Sequence, residues 1–352
     1  MRTRFRVILD CDDVLFDCNN TGVQLVNKAY GTNFTIYDIR NWGPTGGLID
    51  KRLEYFSDPT FISNLPPYAG AKEFVSKLSR KAEVFIMTNV QPSCASVRFE
   101  SIVRNFPEIN PSNIIIGGRK DLVYADMMLD DAYHNLENSL VTHPVLFQRP
   151  WNYGKAGVLS VNGYDEFLQL VDIIKSSEME EPTDAEVVSL VGPSGSNKKT
   201  LAEKLLNTGK FERVKTYTTK NDPSYHVLST EEFTKRQAEG FFSEVSVYAS
   251  EFYGIRMEDI TTILRRGKIP LTILDINGAV SLRQHFKALN VFVKATKEDC
   301  IKDILKRDLP IDEAVQRIAS LDIEFKNEEL CDITVSNLQY EQILQKVGVS
   351  GL

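Results

Sequence analysis

The chain has 352 residues, too many for one ordinary hydrophobic core, so two domains are expected. Its 42% apolar and 25% charged content is typical of a water-soluble globular protein, and a net charge of −7 argues against nucleic-acid binding. Five scattered cysteines show neither zinc-ligand spacing nor a disulfide framework, which suits a cytoplasmic location. The basic start, Met1 to Arg6, lacks the apolar stretch of a signal peptide, no run reaches membrane-spanning length, and a homo-oligomer is compatible with the composition.

The first predicted strand, Arg6–Asp10, carries the apolar run Val7-Ile8-Leu9 and ends in Asp10, Asp12 and Asp13. Carboxylates clustered at the end of a buried strand repel one another, and a hard oxygen set of this kind suits Mg²⁺. Read alone, the segment also fits an acidic loop or a helix N-cap. The next strand, Glu83–Thr88, ends in Thr88 and Asn89, a hydroxyl and an amide. Asn113–Ile116 leads into Gly117-Gly-Arg-Lys120, which offers an ammonium. Met127–Asp130 ends in Asp130 and Asp131, and Val145–Phe147 follows. An acidic, proline-broken stretch, 176–186, reads as a linker. Beyond it come Val187–Val191, Leu271–Leu274, Asn290–Val293 and Ile333–Val335. Short apolar runs alternating with amphipathic segments give an α/β fold class with largely parallel sheets in both halves.

In a parallel sheet the carboxyl ends of the strands line one crevice. Asp10, Asp12, Thr88, Lys120, Asp130 and Asp131 should therefore converge. Taken singly, Thr88 serves as well as a helix cap and Lys120 as a surface lysine. Their order along one sheet resembles the haloacid dehalogenase superfamily. Asp10-Cys-Asp-Asp-Val-Leu-Phe-Asp17 resembles the Asp-x-Asp-Gly-Val-Leu-x-Asp of its 5′(3′)-deoxyribonucleotidases, with Asp13 replacing Gly. Phe61 to Ala71, Lys120 to Asp131 and Val145 to Asn152 resemble further stretches of that subgroup, so the likeness covers roughly residues 1–175.

This resemblance implies a Rossmann-like sheet with a small helical cap in residues 18–80, and a nucleoside monophosphate substrate. Asp10 would attack phosphorus, and Asp12 would protonate the leaving oxygen and then activate water. Thr88 and Lys120 would hold the phosphate oxygens. Mg²⁺ would be held by Asp10, the Asp12 carbonyl and one or both of Asp130 and Asp131. Asn89 and Trp42 would meet the substrate, Trp42 by stacking on a base from a glycine-rich loop. The remaining cap aromatics read as the cap's own core.

In the second half, Val187 to Val191 followed by Gly192-Pro-Ser194-Gly195-Ser-Asn197-Lys198-Lys199-Thr200 reads as strand, phosphate-binding loop and helix. Asn197 stands where the second Gly belongs, and Lys199 where the metal-binding hydroxyl belongs. Over residues 187–352 the chain resembles guanylate kinases, through Thr216 to Lys220, Tyr225 to Phe233, Gly240 to Glu244, Phe252 to Gly254 and Leu274 to Asn277. By that resemblance Glu244 would read guanine, Tyr225 and Tyr253 would bind the GMP phosphate, and Lys198 the ATP phosphates. Arg307 and Arg317 fall where the lid arginines fall. Lys220 replaces an Arg, residues 221–224 lack a second phosphate-binding Arg, Ile255 replaces a hydroxyl residue and Asn277 an Asp. The expected function is a Mg²⁺-dependent nucleotidase whose second domain binds nucleotides or regulates. An active guanylate kinase and a protein-binding module are the alternatives for that domain.

Overall fold

The computed structural model describes residues 4–155, 157–177, 184–223, 225–242, 244–248, 251–336 and 340–347. The chain forms two compact units, Met1–Tyr153 with Leu159–Asp172, and Gly154–Val158 with Ile173–Leu352. The expected linker falls largely on residues 178–183, outside the described residues.

The first unit is built on six strands, β1 (Arg6–Leu9), β2 (Glu83–Thr88), β3 (Ile114–Ile116), β4 (Met127–Asp130), β5 (His143–Phe147) and β6 (Leu159–Val161). They form one sheet in the order β3-β2-β1-β4-β5-β6, with every neighbouring pair parallel. Leu9 pairs with Ile86 on one side and Leu129 on the other. That register sets Asp10 beside Asp130 at the carboxyl edge, with Thr88 on the other flanking strand. Val7, Ile8 and Leu9 are buried, as befits a central strand covered on both faces.

The helices Cys18–Tyr30, Arg52–Tyr55 and Pro59–Asn64, with short 3₁₀ turns at Ile36–Asp38 and Leu48–Lys51, make the insertion between β1 and β2. Phe61 is buried and stacks on Tyr55 and Phe56, with centroids 5.8 Å apart in each pair. These rings form the insertion's own core. The helix Ala71–Lys81 buries Ala71, Phe74, Val75 and Leu78, one face at helical spacing, and packs beside β2. It belongs to the layer over the sheet, so the insertion ends before residue 80.

The second unit holds β7 (Val187–Val191), β8 (Phe211–Arg213), β9 (Thr216–Thr218), β10 (His226–Val227), β11 (Glu244–Tyr248), β12 (Glu251–Ile255), β13 (Ile269–Ile273), β14 (Ala288–Lys294) and β15 (Ile333–Ser336). Five of them form a parallel sheet in the order β15-β14-β7-β13-β8. Val188, Leu190, Leu271, Leu289 and Val291 carry its core, against Leu201 and Leu205 of the helix Lys198–Asn207. The other four form a small mixed sheet, β10-β9-β12-β11, which the sequence pattern does not reveal. Among the described residues no helix is long and apolar enough to cross a membrane.

Candidate functional site

The carboxyl edge of the first sheet gathers four ionisable groups in a buried cluster. Lys120 Nζ donates to Asp10 Oδ1 and to Asp130 Oδ2, each at 2.6 Å. Asp10 is 7% exposed, Lys120 3%, Asp130 0% and Asp131 1%, so water screens little of their interaction. Oxygens of Asp10, Asp130 and Asp131 lie within 4.8 Å of one another. Three carboxyl groups face one ammonium, so with all three ionised the desolvated space would carry two surplus negative charges. Burial pushes the Asp10 carboxyl up to about 7, opposed by Lys120 and reinforced by the charges of Asp130 and Asp12. Burial also raises Asp131, with Asp13, Asp10 and Asp130 adding to it. Burial alone would lower Lys120, but Asp10 and Asp130 more than offset it and hold the ammonium protonated.

The two acidic neighbours differ in what remains of their bonding capacity. Asp130 accepts from Lys120, from Ala132 N at 2.8 Å and from Asn135 Nδ2 at 3.1 and 3.2 Å. Asp131 Oδ2 accepts from Trp151 Nε1 at 2.8 Å, whereas its buried Oδ1 has no hydrogen-bond partner among the described residues. An unpaired buried carboxylate oxygen is costly. The donor set, all hard oxygens with two surplus negative charges when ionised, fits a divalent cation such as Mg²⁺.

Thr88 is fully buried at the end of β2, beside the Cys11 thiol, and its hydroxyl makes no close hydrogen bond among the described residues. Asn89 is exposed, and its amide packs on Gly118, where an added Cβ would lie 3.1 Å away. Trp42 is 55% exposed and its ring lies 5.3 Å from that of His134, just beyond the acidic pair.

Asp12 is placed differently from the other expected acids. Its side chain lies outside the triad of Asp10, Asp130 and Asp131, in an ion pair with Arg98. Cys18 Sγ donates to the same Asp12 oxygen at 2.7 Å. Arg98 is fully buried and its guanidinium lies over the Phe16 ring, 5.4 Å from the centroid. Asp13 takes a left-handed backbone with φ 55°, the conformation that Gly would adopt most easily and Asp tolerates. Its buried carboxylate accepts from Asn19 N at 3.0 Å, Asn19 Nδ2 at 2.5 Å and Tyr68 OH at 3.1 Å. Asn19 Oδ1 in turn accepts from Arg52 Nε at 2.7 Å, which ties the loop to the helical insertion.

Arg98, Trp151, Asn19, Arg52 and Asn135 are the partners that sequence reasoning missed. Trp151 and Asn152 fall in a stretch read for family likeness, yet their partner Asp131 is twenty residues away. Nothing local in the sequence signals such a pairing.

In the second unit a cavity of about 510 Å³ opens beside the loop between β7 and the helix Lys198–Asn207. Gly192, Ser194, Gly195, Asn197, Lys198, Lys199, Thr200, Lys220, Tyr225, Tyr253, Arg307 and Arg317 line it. Asn197 has φ 62° and ψ 31°, so it holds the left-handed turn expected of a glycine. Gly195 cannot be replaced as easily, because an added Cβ would meet the Cys300 carbonyl at 2.6 Å. Lys198 Nζ donates to the loop carbonyls of Gly192 at 2.6 Å and Pro193 at 2.8 Å. Burial lowers this lysine to about 8. Arg317 Nη1 donates to Ser194 Oγ at 3.1 Å and Nη2 pairs with Glu313 at 2.7 Å. Arg307 pairs with Asp303 on the same helix. The rings of Tyr225 and Tyr253 meet edge to face at 6.1 Å. Glu244 opens β11, but its side chain lies outside the described residues. Ile255 is buried with Val187, Val214 and Ile260 as part of a core cluster.

The family described as 5′ nucleotidase, deoxy (Pyrimidine), cytosolic type C protein matches residues 4–177, and guanylate kinase matches residues 184–349. The chain is 28% identical over 168 residues to the 5′(3′)-deoxyribonucleotidase of Bacillus subtilis (strain 168), a match spanning 46% of this chain and 94% of that protein. The 5′(3′)-deoxyribonucleotidase of Bacillus phage SPbeta matches equally, at 28% over 168 residues, 46% of this chain and 94% of that protein. The guanylate kinase of Trichormus variabilis (strain ATCC 29413 / PCC 7937) is 28% identical over 182 residues, covering 49% of this chain and 92% of that protein. The chain thus joins a stretch that matches the type C 5′ nucleotidase family, residues 4–177, to one that matches guanylate kinase, residues 184–349.

Proposed function

We propose that the first domain, residues 1–175, hydrolyses (deoxy)nucleoside 5′-monophosphates through an aspartyl-phosphate on Asp10, with Mg²⁺ as cofactor. The observation that carries this reading is the buried Asp10–Lys120–Asp130–Asp131 cluster with its surplus negative charge and the unpaired oxygen of Asp131. When bound, Mg²⁺ would neutralise that charge and draw the phosphate dianion to the nucleophile. Asp10, the Asp12 backbone carbonyl and Asp131 are the residues that would hold it, while Asp130 is committed to Lys120, Ala132 and Asn135.

Asp10 attacks phosphorus as the ribose oxygen leaves. Asp12 gives that oxygen a proton and afterwards takes one from the water that cleaves the acyl phosphate. Asp12 is 31% exposed at its side chain, so the carboxylate remains partly open while Arg98 fixes its direction. Lys120 and Thr88 hold the phosphate oxygens that gain charge in transit. Trp42 and Asn89, both exposed, meet the nucleoside.

The second domain, residues 187–352, binds nucleotides or regulates the first. Its formed phosphate loop and the cations Lys198, Arg307 and Arg317 support nucleotide binding. The same groups favour active guanylate kinase chemistry, but Lys199 and the buried Ile255 replace hydroxyl groups that chemistry uses. Free cysteines throughout the chain fit a reducing, cytoplasmic setting.

Phosphate release from a panel of nucleoside monophosphates and sugar phosphates, by the full chain with Mg²⁺, tests this. Preference for deoxynucleoside monophosphates is expected. Hydrolysis of sugar phosphates with no response to any nucleotide would keep the phosphatase and remove the nucleotidase.

A further inference from the structure

The phosphate loop of the second domain lacks the hydroxyl that holds a metal in loops of this type. In loops of this type a Ser or Thr hydroxyl directly after the phosphate-binding lysine takes Mg²⁺. Here that position is Lys199, second residue of the helix Lys198–Asn207. Thr200 follows it and also lines the cavity, but one residue along a helix sets its side chain about 100° around the axis from the metal-binding position. Each nearby carboxylate already has a partner within the domain. Glu324 accepts from Ser194 N at 2.7 Å, and Asp275 caps the helix Ile276–Arg283 by accepting from Gly278 N at 2.9 Å. Asp222 faces Lys199 Nζ at 3.8 Å. Among the described residues this cavity holds no cluster of three metal-ligating side chains, in contrast to the first domain.

The charge balance runs the other way. The described lining residues include five cations and three carboxylates, the reverse of the acidic cluster around Asp10. Lys199 is 60% exposed at its side chain, and its ammonium stands 5.6 Å over the Tyr225 ring. It therefore reaches across the cavity from the first turn of a helix whose amino end already favours anions.

We infer that the second domain binds the phosphates of a nucleotide without a divalent cation, with the Lys199 ammonium supplying the charge that a metal would bring. This rests on the nucleotide-binding reading given above. A site so built retains affinity for a polyphosphate but has no bridging metal for phosphoryl transfer, which suits a sensor.

Titration of ATP into the full chain by calorimetry, with Mg²⁺ and separately with EDTA, tests the inference. The wild-type protein is expected to bind ATP with affinities that agree within about threefold in the two buffers. Lys199→Ser should weaken binding in EDTA at least about tenfold and restore it with Mg²⁺, while Lys199→Arg stays near wild type. Lys199 is exposed, so its variants should fold, and melting curves check that they do. Binding by the wild type only when Mg²⁺ is present would overturn the inference, as would unchanged affinity of Lys199→Ser in EDTA. Absence of ATP binding in both buffers would remove the nucleotide-binding reading itself, and the metal-free site with it.

Discussion

Arg98 pairs with Asp12 across 86 residues of sequence, a fully buried guanidinium holding a partly exposed carboxylate. Asp12→Asn should abolish turnover and also destabilise the fold, because it leaves a buried cation unpaired. A loss of about 3 kcal/mol is expected in urea unfolding. The double variant Asp12→Asn with Arg98→Met should recover most of that stability and none of the activity. If the double variant is no more stable than the single one, the ion pair does not carry the cost.

Metal affinity should separate the two adjacent acids. Asp131 has an oxygen to offer and Asp130 has none left. Calorimetric titration with Mg²⁺ should therefore show no binding to Asp131→Asn. Trp151→Phe removes the hydrogen bond that orients Asp131 and trims a ring packed with Val23, Ile39 and Ile49, so melting curves must show that the variant folds; a loss of about 10–100-fold in affinity is then expected. Equal affinity in Trp151→Phe and the wild type would mean that the indole plays no part.

Much of this site was legible in the sequence, for a physical reason. In a parallel sheet each strand delivers its last residues to one edge, so Asp10, Thr88 and Asp130 could be placed by finding strand ends alone. Lys120 followed from its place between two such strands. The supporting groups were not legible, since Arg98, Trp151 and Arg52 act through side-chain contacts that fold only in three dimensions. Asp13 shows the same limit. Its departure from Gly was plain, but only the φ of 55° and the bonds from Asn19 and Tyr68 explain how it is accommodated. The mixed sheet of the second domain escaped notice because β9 and β10 span only three and two residues.

Trp42 offers a test of substrate contact that is independent of the chemistry. It is 55% exposed, so Trp42→Ala should change stability by no more than about 0.5 kcal/mol. KM for deoxynucleoside monophosphates should rise several-fold, while hydrolysis of p-nitrophenyl phosphate stays unchanged. Parallel changes for both substrates would place Trp42 outside base recognition.

His143 should make the fold sensitive to acid. Its ring is buried in β5, Nδ1 has no hydrogen-bond partner among the described residues, and burial lowers its pKa to about 4 against a weaker opposing pull from Asp126. An unfolded chain takes up this proton near pH 6.5. Between about pH 6.5 and pH 4 the unfolded state binds more protons, so stability is complete above that window and is lost as pH falls through it. The stability difference between wild type and His143→Gln should shrink as pH drops across this range. A difference that does not vary with pH would contradict the assignment.

Acid quenching of the full chain during a single turnover of a deoxynucleoside monophosphate with Mg²⁺, followed by peptide mass spectrometry, tests the central claim most directly. The account predicts a phosphoryl group on Asp10, and none in Asp10→Asn, which should also release no phosphate. Phosphate release by Asp10→Asn at the wild-type rate, or a phosphoryl group found on another residue, would contradict it.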